Sequence, residues 1–179
     1  MHYMKLLRII GRKIKSDTMS TYIEIDGWRS NIRFSSAHII PEYEKCGRLH
    51  GHTYAVHVKI SGKPDKKGII MDFSLLKDLL RGIVSELDHR ILIPEKNNVV
   101  KIEKEKNNVK VTSLEKEYVF PLNDCVFLPI NSTSAENLAG YILEKMLKEI
   151  YLPENVECIE IGVDEGYGQG ARISKTFNK

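Results

Sequence analysis

The sequence predicts an α+β fold, and three observations predict it. Runs of β-branched and aromatic residues with strand alternation occupy the first part of the chain and return near its end. Two stretches, 74–87 and 133–150, repeat apolar residues at the helical period, and Gly, Pro, Asn and Asp clusters separate these segments. The 179 residues, 42% hydrophobic and 28% charged, describe an ordinary globular chain of one domain with enough length to bury a core.

The first twenty residues are basic and amphipathic, with Leu6, Leu7, Ile9, Ile10 and Ile14 set among charges. They hold five of the 27 Lys and Arg residues and one of the 24 acidic ones, leaving 22 basic against 23 acidic residues in the rest. A near-neutral body of 21–179 gives no electrostatic argument for a nucleic-acid partner. The apolar run of the tail is too short to span a bilayer and lacks a small-residue cleavage site, so the reading is a loose tail ahead of one domain. Three cysteines, Cys46, Cys125 and Cys158, form no C-x-x-C pair and are odd in number, which fits a reducing, cytoplasmic setting.

From Thr21 the chain reads as strand. Tyr22 to Asp26 and Arg29 to Ala37 flank Asp26-Gly27, a hairpin-type turn, and the second strand ends at His38. A loop opened by Pro41 carries Cys46 and Gly47, and a long strand runs from His50 to Ile60. His50 and His52 are two apart, so on a strand both imidazoles leave one face. His38 supplies a third nitrogen donor, the number a catalytic zinc site takes from the protein while keeping a fourth position open. Gly51 leaves backbone room between the two histidines, and Cys46, four residues before His50, is either a fourth ligand or a reactive thiol. By parity His38 continues the face of Ile32, Phe34 and Ser36, and His52 that of Tyr54, Val56, Val58 and Ile60. An imidazole that continues a buried face needs a partner, and a metal supplies one.

After turn chemistry at 63–68, Ile69 to Met71 reads as a short extended piece, and Asp72 or Ser74 can cap the helix that follows. That helix, 74–87, sets Leu76, Leu80, Ile83, Val84 and Leu87 on one stripe. Asp88 and His89 stand just past its end, where a histidine also suits the negative end of the helix dipole. Segment 95–128 reads as an elaboration: Val99 to Glu105 and Val109 to Leu114 form a solvent-exposed hairpin around Lys106-Asn107-Asn108. Tyr118 to Phe120 and Cys125 to Leu128 add extended pieces, with Cys125 a small apolar filler. Thr133-Ser134-Ala135-Glu136 reads as a capping box opening the second helix, with Leu138, Ile142, Met146 and Leu147 toward the core. The last strand, 156–165, turns Ile159, Ile161 and Val163 inward, so Glu165 ends a buried face and needs a donor. Gly166, Gly168 and Gly170 leave the backbone beyond it open and mobile.

The set FSSAH at 34–38, CGRLHGHTY at 46–54, LDH at 87–89, TSAEN at 133–137 and a late strand ending in Glu165 resembles the 6-pyruvoyl-tetrahydropterin synthase and 6-carboxy-tetrahydropterin synthase family. The resemblance covers Tyr22 to Ile173. It implies a tunnelling fold, a four-stranded antiparallel sheet with two helices on one face, here with an inserted β-hairpin, assembled into trimers or hexamers with active sites between subunits. It implies zinc on His38, His50 and His52, and proton transfer by Cys46, Asp88 and His89. It also implies a pterin anchored by Glu165, with Thr133 and Glu136 lining its pocket. The implied substrate is 7,8-dihydroneopterin triphosphate. The spacing Cys46-x3-His50-Gly51-His52 is closest to the 6-carboxy-tetrahydropterin synthases of the queuosine and archaeosine route, while pyruvoyl-forming relatives usually have a longer gap. A zinc- or pterin-binding protein without turnover is the reading from another class. Where the family commonly has threonine after its anchoring glutamate, this chain has Gly166.

Overall fold

In the computed structural model residues 20–177 are described, so the basic tail lies, apart from Ser20, outside the described residues. The main sheet is built from β1 (Thr21–Ile25), β2 (Arg33–His38), β3 (His50–Gly62), β4 (Arg90–Pro94), β8 (Cys125–Leu128), β9 (Val156–Glu165) and β10 (Gly170–Thr176). Its order is β10-β9-β3-β2-β4-β8, with β1 also on β3. Helices α1 (Phe73–Ser85) and α2 (Ala135–Glu149) complete it.

The expected antiparallel core of four strands is present once β1 and β2 are read as one interrupted strand. The two pair with successive parts of the 13-residue β3, from Thr21↔Gly62 to Ile25↔Val58 and from Arg33↔Ala55 to His38↔His50. Asp26-Gly27 therefore does not fold β1 back onto β2, as the turn dipeptide suggested. The chain steps out of the ladder and rejoins it, with Val56 N–H donating to Ile32 O at 3.0 Å. Gly27 serves close approach instead, since a Cβ there would lie 2.3 Å from the Val56 carbonyl oxygen. Two further strands extend the sheet in parallel, β4 on β2 and β8 on β4.

Both helices lie over one sheet face. α1 buries Leu76, Leu80, Ile83 and Val84, and α2 buries Leu138, Ile142 and Met146. They close on Phe34, Tyr54, Val56, Val58, Ile60, Ile159, Ile161 and Val163 to form the main core. Full burial of side chains of this size contributes on the order of 2 kcal/mol each, which fixes the strand faces and with them the histidines that continue those faces. α1 is capped by Asp72, which accepts from Ser74 N–H at 2.7 Å. Ile69 to Met71 form no strand. Ile70 and Met71 fill the core, and the Ile70 carbonyl is satisfied by the Asn155 side chain at 3.2 Å rather than by a neighbouring ladder.

Segment 95–128 is not a hairpin but a three-stranded meander, β5 (Val100–Lys104), β6 (Asn108–Ser113) and β7 (Lys116–Pro121), in a sheet of its own. Only one face is wet. The other sets Val100, Val109 and Val111 against Ile39 and Ile93, with Tyr118, Phe120 and Phe127 around them, as a second core. The sequence showed the alternation but not the surface that would cover its apolar half. Within this sheet Ser113 is buried, and its hydroxyl has no hydrogen-bond partner among the described residues. Ser113→Ala is expected to raise stability by about 1 kcal/mol, because an unpaired buried hydroxyl costs roughly that much. Urea titration checks it, and a lowered midpoint would mean that the hydroxyl is satisfied in solution.

Candidate metal centre and active site

His38 closes β2 and His50 opens β3 directly opposite it, while His52, two residues on, faces Ser36. The three imidazoles converge, each offering a nitrogen within 4.8 Å of the others. Gly51 does not widen this site from within. Its side of β3 points to the other sheet face, where a Cβ would meet the Ser36 carbonyl oxygen at 3.0 Å, because consecutive strand residues alternate.

The surrounding acceptors set the tautomers. His50 Nδ1 lies 2.7 Å from the Arg48 carbonyl and His38 Nδ1 lies 3.1 Å from the Thr133 carbonyl, so both Nδ1 atoms carry the proton and donate. Each Nε2 is then left with its lone pair, and the two face each other at 3.1 Å. Lone pairs at that distance repel unless a cation lies between them. Burial, and after it the neighbouring His50, pushes His38 down from 6.5 to about 4, so it remains a neutral donor at physiological pH. Three converging imidazoles, with backbone acceptors behind two of them, are the donor set that zinc takes, with a position left for a further ligand. The residues present fit the metal.

Two expected substrate-binding residues join this cluster. Thr133 is fully buried, with its Oγ1 3.1 Å from His38 Nδ1 and its hydroxyl donating to the Ile39 carbonyl at 3.3 Å. It is not the helix cap. Ser134 caps α2 by accepting from Asn137 N–H, so the helix starts one residue later than the capping box placed it. Glu165 ends β9 opposite Tyr54, and its Oε1 lies 3.8 Å from His38 Nε2. Tyr54 was legible only as a core residue on the histidine face. Its hydroxyl lies 3.4 Å from His38 Nε2 and donates to Glu165 Oε1 at 3.4 Å. Burial, then the Glu165 charge, pushes this phenol well above its ordinary value, so it stays protonated and able to donate.

The remaining expected groups lie outside the three-histidine cluster within one protomer. Cys46 is half-buried in the 39–49 loop between β2 and β3, where its carbonyl accepts from Ile40 N–H at 2.7 Å. Asp88 Oδ1 accepts from Ser35 N–H at 2.8 Å, and Asp88 Oδ2 holds His89 Nδ1 at 2.9 Å. Partial burial opposes ionisation of Asp88, but the Ser35 N–H and the His89 imidazole hold its carboxyl below the usual range. His89 is exposed and keeps a left-handed backbone, φ 55°, anchored by its N–H on the Ser35 carbonyl at 2.7 Å. It shares an open groove of about 580 Å³ with His52, Ala37 and Asp124. Glu136 lies on the first turn of α2, its carboxyl held low by the Ser134 hydroxyl, and lines a separate hollow with Lys96, Asn131 and Glu144. Burial, with the Asp124 charge, pushes the Cys125 thiol up to about 11, which disfavours the thiolate at neutral pH.

Behind Glu165, on the other sheet face, Asp164 ties the site's frame together. Its Oδ2 accepts from Trp28 Nε1 and His57 Nε2, both at 2.9 Å, and its Oδ1 pairs with Arg172 at 2.8 Å. Trp28 stacks on Tyr167 with ring centroids 4.1 Å apart. The glycine-rich segment is thus a closed turn rather than an open one, with Gly166 N–H on the Thr53 carbonyl and Glu165 N–H on the Gln169 carbonyl, both at 3.1 Å. Gly166 has φ 79°, which a β-branched residue would hold only under strain, so threonine does not suit this turn. Burial opposes the Asp164 charge, yet Trp28, Arg172 and His57 hold its carboxyl below the ordinary value. A carboxyl lowered by folding stabilises above its unfolded value, near 4, and that stability is lost as pH falls through the folded value. The melting temperature is therefore expected to drop on acidification below about pH 4, and less steeply in Asp164→Asn. Thermal melts between pH 3 and 6 test this, and parallel curves would show that other carboxylates govern the acid limb.

Among the described residues no helix is long and apolar enough to cross a membrane. A protein of Methanocaldococcus jannaschii provisionally named 6-carboxy-5,6,7,8-tetrahydropterin synthase is 38% identical over 158 residues, 86% of this chain and 96% of that protein. The dihydroneopterin monophosphate aldolase of Pyrococcus furiosus is 46% identical over 59 residues, 33% of this chain and half of that protein. The structure of Plasmodium falciparum 6-pyruvoyl tetrahydropterin synthase superposes with a TM-score of 0.81 at 33% identity, covering 88% of this chain and 99% of that one. With the strand order and the paired helices, this likeness makes the fold the tunnelling fold. The family model described as 6-pyruvoyl tetrahydropterin synthase matches residues 28–176, from Trp28 beside the Asp164 network to the last residue of β10, and the chain belongs to that family.

Proposed function

We propose that this protein is a zinc-dependent carbon–carbon lyase that converts 7,8-dihydroneopterin triphosphate and water to 6-carboxy-5,6,7,8-tetrahydropterin, acetaldehyde and triphosphate, in the 7-deazaguanine route to queuosine or archaeosine. The observation that carries the reading is the Cys46-x3-His50-Gly51-His52 spacing on strands that converge His38, His50 and His52. The names of the archaeal relatives support it.

Zinc held by His38, His50 and His52 would supply Lewis acidity to the side-chain hydroxyls of the pterin. The Glu165 carboxylate accepts two parallel N–H donors from the pterin ring, a charge-assisted pairing that fixes the ring's direction. Tyr54 and Thr133 hold Glu165 and His38 in place behind it. Cys46 and His89 move protons, with Asp88 keeping the His89 imidazole oriented through Nδ1 so that Nε2 does the exchange. His89 is exposed on its own protomer, and Glu136 faces a separate hollow. The proposed assembly is a homo-oligomer, trimer or hexamer, with active sites between subunits. The proposed setting is cytoplasmic.

Product analysis by mass spectrometry tests the reaction. Zinc-loaded protein incubated with dihydroneopterin triphosphate is expected to yield 6-carboxytetrahydropterin and acetaldehyde. A 6-pyruvoyl product would move the protein to the activity of its Plasmodium structural neighbour. Turnover of the monophosphate alone would favour the chemistry for which the Pyrococcus relative is named. No turnover of either compound would leave a binding role.

A further inference from the structure

We propose that the meander of segment 95–128 is a positioning clamp for the Cys46 loop, with Lys116 as its principal positioning residue. The proposal rests on the proton-transfer role given above to Cys46. Three contacts carry it, and all run from the meander or its base to the 39–49 loop. Lys116, at the start of β7, donates from Nζ to the Gly47 carbonyl at 2.9 Å, one residue beyond Cys46. Asn97, ahead of β5, donates from Nδ2 to Glu42 Oε1 at 3.0 Å and to the Asn131 carbonyl at 2.8 Å, so one amide joins the loop to the chain leading into α2. Between these tethers Ile39 and Leu49, at the two ends of the loop, line a small apolar gap with Val111, Tyr118, Phe120 and His38.

Apart from these contacts, the loop is held near its two ends, by the Thr133 hydroxyl on the Ile39 carbonyl and by His50 Nδ1 on the Arg48 carbonyl. Glu42, Tyr43, Glu44 and Lys45 are exposed, and its own hydrogen bonds close turns within it. Gly47 is buried, its N–H donates to the Tyr43 carbonyl at 2.6 Å, and a side chain there would clash with that same oxygen. Fixing the Gly47 peptide therefore fixes the direction in which Cys46 leaves the loop. A thiol that moves protons has to be held within a fraction of an ångström of its target, and a misplacement of about 1 Å can cost two orders of magnitude in rate.

Lys116→Met keeps the apolar stem and removes the donor, at a residue whose side chain is exposed. The expected result is a fall in kcat of about tenfold with KM changed less than about twofold. Zinc content should stay at the wild-type level, and Cys46 should react with iodoacetamide several times faster, read by mass spectrometry of the Cys46 peptide so that Cys125 and Cys158 do not interfere. Lys116→Arg, which still donates, should restore both readouts. Asn97→Ala, which cuts the second tether, should raise Cys46 alkylation in the same direction. Unchanged kcat and unchanged Cys46 alkylation in a folded, zinc-loaded Lys116→Met protein would overturn the clamp. If the wild-type protein turns over no pterin, the functional reading fails, whereas the alkylation rates still decide the clamp.

Discussion

Replacing His50 by alanine is expected to abolish stoichiometric zinc binding and to lower turnover by at least about a thousandfold. His50 stands directly across from His38, and their Nε2 atoms meet at 3.1 Å, so its loss removes half of the pair that brackets the cation. Two imidazoles remain, one from each strand, too few for a structural or a catalytic zinc site. His57→Ala is the matching control. That imidazole is also on β3, but it faces the other side of the sheet and bonds Asp164, so one metal per chain should survive its removal. Metal analysis after dialysis reads both variants, and a His50→Ala protein that keeps one zinc would remove the centre from the position assigned to it.

Cys46→Ala separates turnover from binding. Zinc content and pterin affinity should be unchanged while kcat falls by about a hundred- to ten-thousandfold, the range that a positioned proton-transfer group contributes. The substitution removes one sulfur from a half-buried position in a loop and leaves the Arg48 carbonyl free to hold His50, so the metal centre has no reason to collapse. Loss of zinc in this variant would make Cys46 a ligand, the alternative its spacing also allows. Full activity would end its role in the reaction.

The local part of this protein was legible because its patterns are short-ranged. Of the stripe Leu76, Leu80, Ile83, Val84 and Leu87, the first four are the buried set of α1 and Leu87 is buried just past the helix, which ends at Ser85, while the strand from Val156 to Glu165 was bounded to the residue. Parity along β2 and β3 placed three histidines on the core face, and a two-residue period allows no other placement once Phe34 and Val56 are buried.

What the sequence determined by itself was therefore both helices, most of the strands, the faces they bury and the histidines those faces carry, all of which follow from the 2.0- and 3.6-residue periods, whereas β4 and β10 were not read from it. Only the tertiary structure decided how the elements meet. It paired β1 with β3 rather than with β2, because a 13-residue strand offers a ladder long enough for both. It moved the α2 cap to Ser134, because Thr133 is committed to His38 and Ile39. It brought Tyr54 within reach of both His38 and Glu165, 111 residues away in the chain. It also turned an apparently wet hairpin into a meander seated on Ile39 and Ile93 and tied to the Cys46 loop by Lys116. These contacts join residues tens to more than a hundred positions apart, and no local period encodes a partner at that distance.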